Sequence, residues 1–129
     1  MSETRGLPDG LEIGEGHAIF RLKGHASFQE ALDLGGRAIV YCRENGIGRL
    51  LIDATNLGGF GLGTFELFTA GELLARHAMA AVKIAFVMRP EQIDPRGVGI
   101  MVARNRGLFS KAFSSETEAW KWLLDPNAE

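Results

Sequence analysis

The pattern of apolar and polar positions is clearest between Arg49 and Ala78. An unbroken apolar run, Leu50-Leu51-Ile52, leads through Asp53 and a glycine-rich stretch from Gly58 to Gly63 into a helical pattern opening at Thr64. A run without polar alternation predicts a strand covered on both faces, as in a parallel sheet flanked by helices. Asp53 then falls at the carboxyl end of that strand, the edge where α/β sheets meet ligands and partners because the loops there are free of packing duty. Val82 to Met88 repeats the unbroken pattern and predicts a second central strand, with Lys83 near its start and Arg89-Pro90 closing it. Earlier in the chain, apolar residues alternate in Leu11 to Ile13 and in His17 to Leu22, on either side of Gly14-Glu15-Gly16. That is a hairpin signal, and it predicts an antiparallel edge with Arg21 and Lys23 on the face opposite Phe20 and Leu22.

Helical spacing fills the intervals. Ser27-Phe28-Gln29-Glu30 has the form of a capping box, and Phe28, Ala31, Leu32, Ile39 and Cys42 recur at the three-four spacing of one buried face. Gly46 supplies a left-handed stop, while Gly35-Gly36 in mid-helix either permits close packing or marks a bend. From Thr64 to about Ala78, Leu67, Gly71, Leu74 and Ala78 share a face, with Phe68 and Ala75 beside them. Asp94-Pro95 starts a short helix with Val98, Met101 and Val102 on its apolar side, ending in Arg104, Asn105, Arg106 and Gly107. Leu108 to Phe113 is a further strand candidate. Ser115-Glu116-Thr117-Glu118 is a second capping box, opening a terminal helix with Ala119, Trp122 and Leu123 inward and Asp125-Pro126 as its stop.

The predicted order is ββαβαβαβα. It describes an α/β domain with a mixed sheet of about five strands and four helices, in two or three layers. Residues 11–125 read as one domain, 1–10 as a polar lead-in and 126–129 as a tail.

Composition narrows the function classes. A length of 129 residues suits a single domain with its own core, and a formal net charge of −2 gives no nucleic-acid footprint. Cys42 is the single cysteine, so no internal disulfide or cysteine-rich metal site is expected and a cytoplasmic setting is the simple reading. No apolar run approaches the length of a membrane span, so no stable membrane insertion is expected. His17, His25 and His77 are widely separated, without metal-ligand spacing. Neither a G-x-S-x-G elbow nor a cysteine–histidine arrangement appears, and the expectation is a chain without catalysis, cofactor or metal.

The order of elements, the strands Arg49-Leu50-Leu51-Ile52-Asp53 and Val82-Lys83-Ile84-Ala85-Phe86-Val87, and the ending Phe113-x5-Ala119-x2-Trp122-Leu123 resemble SpoIIAA-like proteins of the STAS superfamily. The resemblance runs roughly from His17 onward. It implies a small regulatory domain that binds a partner, as anti-sigma factor antagonists bind a kinase and are switched off by phosphorylation of a serine at the start of the helix after this strand. Other relatives are regulatory modules of transporters or are thought to bind lipids or nucleotides. Antagonists of the switching kind resemble Asp-Ser-Ser-Gly at the loop-to-helix junction. An ungapped reading from Asp53 places Gly61-Leu62-Gly63-Thr64 there, so Thr64 carries the only hydroxyl and is the candidate phosphorylation position.

The candidate contact residues follow from position. Asp53, Thr55 and Asn56 lie at one strand end, where they either meet a ligand or organise the turn by bonding backbone amides. Arg89, after the next strand, brings a guanidinium toward the same edge and would suit a phosphate or carboxylate. Gly58 to Gly63 sits between a strand and a helix N-terminus, where free amides favour an anion, but it lacks the GxxxxGK[ST] lysine. Leu57, Phe60, Leu62 and Phe65 interleave with glycines and would either plug onto a protein partner, including a second copy in a homodimer, or line a pocket for a small apolar, lipid-like ligand. An anionic, nucleotide-like ligand is the further alternative at this loop.

Overall fold

The structure, a computed structural model, describes residues 8–22, 28–56, 64–79, 81–93, 101 and 104–127. Five strands form one sheet: β1 (Leu11–Ile13), β2 (Ala18–Arg21), β3 (Arg49–Asp53), β4 (Lys83–Val87) and β5 (Ser110–Phe113). They lie side by side in chain order, β1 antiparallel to β2 and every later pair parallel. The helices are α1 (Phe28–Glu44), α2 (Thr64–Ala78) and α3 (Glu116–Leu124), and a 3-10 turn, Pro90–Gln92, follows β4. The mixed α/β sheet of the sequence reading is present. Of the further helix expected over residues 94–106, Met101, Arg104 and Asn105 have helical backbone and the rest lies outside the described residues.

Alternation along the strands sends side chains to two separate cores. Ala18, Phe20, Leu50, Ile52 and Ile84 face α1 and α2, whose Ala38, Ile39, Cys42, Ala75 and Ala78 complete the larger core. Leu51, Ala85 and Val87 point the other way and are covered by Ala119, Trp122 and Leu123 of α3. The layers are therefore helix, sheet, helix. This is why Leu50, Leu51 and Ile52 are all apolar: each face of β3 is buried, and at about 25 cal/mol per Å² of apolar surface each side chain contributes roughly 1.5–3 kcal/mol.

Local signals set the helix ends. After α1, Gly46 takes φ +71° and Ile47 N–H bonds the Cys42 carbonyl at 2.9 Å, a Schellman stop. Ser115 caps α3, its hydroxyl accepting from Glu118 N–H at 3.3 Å. The first predicted cap, Ser27, lies outside the described residues. At Gly36, an added Cβ would stand 3.0 Å from the His77 ring, so this glycine serves close packing of α1 against α2, whereas a Cβ at Gly35 would meet nothing within 4 Å. Arg43 of α1 then donates to the His77 carbonyl at 2.6 Å, satisfying the C-terminal turn of α2.

Candidate functional site

The carboxyl ends of β2, β3 and β4 bring together Arg21, Asp53, Thr55, Asn56 and Arg89, with Glu116 above them at the first turn of α3. The β2–β3 register sets Arg21 beside Asp53, and both project toward the α3 face because they alternate with Phe20 and Ile52. Arg21 Nη1 donates to Asp53 Oδ2 at 3.2 Å and to Glu116 Oε1 at 2.9 Å, while Nη2 reaches Glu116 Oε2 at 3.2 Å. The fork of Arg21 on Glu116 is bidentate, the geometry a planar guanidinium favours. Hydrogen bonds from Arg21 hold the Glu116 carboxyl below its ordinary range, opposed by desolvation, with the Arg21 charge and a bond from Trp120 adding to the effect. In return Glu116, chiefly through the same hydrogen bonds, raises Arg21 above the usual guanidinium value.

Asp53 has a second task. Its Oδ1 accepts from Thr55 N–H at 3.1 Å and from the Thr55 hydroxyl at 2.7 Å, closing an Asx turn at the strand end. Asn56 Nδ2 donates to the Leu22 carbonyl at 3.1 Å, tying the turn to the strand next door. Arg89 donates to the Thr55 carbonyl and, through Nε, to Glu91 Oε2 at 3.1 Å. Of the alternatives open at the sequence level, turn organisation by Asp53, Thr55 and Asn56 is what these bonds describe. Four of the nine candidate contact residues thus meet at one edge. Thr64 and Phe65 are the first residues of α2 by their backbone; Leu57, Phe60, Leu62 and the rest of the glycine loop lie outside the described residues.

Arg21 and Glu116 belong to this edge and were not among the sequence-predicted site residues. The only hint in the chain was the alternation that put Arg21 opposite Phe20; a pairing across 95 positions has no local signature. The edge is an ion-paired scaffold. The described histidines stand elsewhere, His17 edge-on to Trp120 with centroids 5.2 Å apart and His77 against Gly36. Cys42 is fully buried in the larger core, and burial pushes its thiol up to about 11. Among the described residues, no group of His, Cys, Asp and Glu gathers in a metal-holding arrangement, and no helix is long and apolar enough to cross a membrane.

Set beside known proteins, the chain matches no family model and no curated protein sequence.

Proposed function

We propose that this chain is a non-catalytic regulatory domain that binds a protein partner, or a second copy of itself, through residues 57–63 and the start of α2. One observation carries the reading: the polar side chains where β3 ends are committed to one another and to backbone. Asp53 holds Thr55, Asn56 holds Leu22, and Arg89 holds the Thr55 carbonyl. Such bonding suits a fixed mount for the segment that follows it better than a set of groups waiting on a substrate. A rigid scaffold presenting a variable loop is the usual design of a recognition surface. The segment mounted there contains Leu57, Phe60 and Leu62 among glycines, a composition suited to burial against a partner. The STAS-like, SpoIIAA-like resemblance leads to the same reading, and Thr64, as the first residue of α2, is where a phosphate would meet the free amides of a helix start.

The carrier reading, with a lipid-like or nucleotide-like ligand beneath the same segment, is separated by native mass spectrometry of the purified chain. A clean chain mass, with a protein recovered by the parent and lost by Phe60→Ser, supports the interaction domain. A co-purified small-molecule adduct that disappears in Phe60→Ser overturns it in favour of the carrier.

A further inference from the structure

The second face of the sheet is covered very differently from the first. Among the described residues α3 is the one element over it, and α3 buries only Ala119, Trp122 and Leu123 there. The first face holds a larger core shared by two longer helices. Among the described residues no backbone–backbone hydrogen bond joins α3 to the sheet: its backbone bonds run within its own turns, Ala119 N–H to the Ser115 carbonyl and Asp125 N–H to the Trp122 carbonyl. Every strand ladder would remain whole if α3 departed, since the sheet pairs β1 to β5 without it.

What holds α3 at its ends is a pair of cationic clamps. At the N-terminus Arg21 of β2 takes Glu116 with both nitrogens, at 2.9 and 3.2 Å. At the C-terminus Lys83, the first residue of β4, donates to the Trp122 carbonyl at 2.8 Å and the Asp125 carbonyl at 3.0 Å. Lys83 Nζ also stands 4.4 Å from the Trp122 ring centre and 5.2 Å from that of Phe109. Both clamps are within reach of water, the Arg21 side chain being 42% exposed and that of Glu116 40%. One internal feature opposes docking. Trp122 Nε1–H is buried without an acceptor among the described residues, so leaving the sheet would return that donor to water.

A nine-residue helix is too short to persist on its own in water, so α3 is helical while docked and frays when released. We infer that α3 is a releasable strap: it opens as a unit, ahead of the rest of the fold, with Arg21 and Lys83 as its two latches. Opening lays bare Leu51, Ala85 and Val87 in the middle of the sheet while α1, α2 and the first core stay in place. The inference stands on α3 and its clamps alone and does not depend on how residues 57–63 are used.

The test is native-state hydrogen exchange on the full chain, followed segment by segment, with Glu116→Gln and Lys83→Met beside the parent. In the parent, α3 amides are expected to open at least about tenfold more often than the core amides of α1. Each variant, loosening one latch, should raise exchange in α3 further and leave α1 unchanged. Equal opening of α3 and α1 in the parent would overturn the strap, as would variants that raise exchange evenly in both helices. If either variant fails to fold, the parent's own ordering of α3 and α1 decides the matter.

Discussion

Among the described residues, Met79 is the one non-glycine residue held at a positive φ. It follows α2 with φ +49°, its N–H bonding the Ala75 carbonyl at 3.0 Å, the left-handed stop that glycine usually provides. A side chain in that conformation costs about 1–2 kcal/mol. The Met79 side chain recovers little in exchange, being 68% exposed. Met79→Gly removes the left-handed penalty but gives the unfolded chain more freedom, a loss of about 0.4–1 kcal/mol. The net expectation is stabilisation by about 0.5–1 kcal/mol, or a rise in Tm of about 2–4 °C for a chain of this size. Met79→Ala is the control. It trims the same side chain while keeping the strained backbone, so its stability should stay within about 0.5 kcal/mol of the parent. Urea unfolding of the three proteins under one set of conditions reads all of this. If Gly destabilises, or if Ala stabilises as much as Gly, the strain argument is wrong and the Met79 side chain has a packing role.

Other perturbations address the second face and the first core. Ser115→Ala removes the cap of α3 and should lower its helical stability by about 1 kcal/mol, read as faster exchange at Glu118 N–H and its neighbours. Because Arg21 depresses the Glu116 carboxyl, with Asp53 the opposing charge nearby, the stability this group contributes is present above its ordinary value of 4.5 and is lost as pH falls through the lowered folded value. Urea midpoints measured downward from about pH 6 should therefore fall less steeply below about pH 4.5 in Glu116→Gln than in the parent; identical slopes would remove Glu116 from the acid response. Cys42, with its thiol pushed up to about 11 by burial, should resist alkylation in the native protein and react only on unfolding, so rapid labelling of the folded chain would contradict its place in the core.

Local features were legible and distant pairings were not. Leu50 to Ile52 and Val82 to Met88 announce buried parallel strands because a strand covered on both faces has no polar position to spare. Gly46 and Ser115 announce helix ends because the backbone there needs a left-handed residue and a side-chain acceptor. The inward set Ala119, Trp122 and Leu123 follows from helical spacing alone, and all three are buried. The choice between two and three layers did not follow, since apolar strands say only that both faces are covered and not by which helix. The edge was legible in outline: Asp53, Thr55, Asn56 and Arg89 converge there. Its ion pairs were not, because Arg21, Asp53 and Glu116 meet through strand register and the return of α3, neither of which leaves a spacing in the chain. Lys83 was placed at its strand's start, but its hold on the end of α3 needed the fold.

The most direct test of the proposed interaction surface is the affinity of the protein recovered with the parent chain, measured for the parent and for Phe60→Ser and accompanied by thermal unfolding of both. A contact role predicts a loss of at least about 2 kcal/mol, roughly thirtyfold in Kd, with the unfolding midpoint unchanged. Unchanged affinity with unchanged stability would contradict it, and a large fall in stability would place Phe60 in the core and not at a contact.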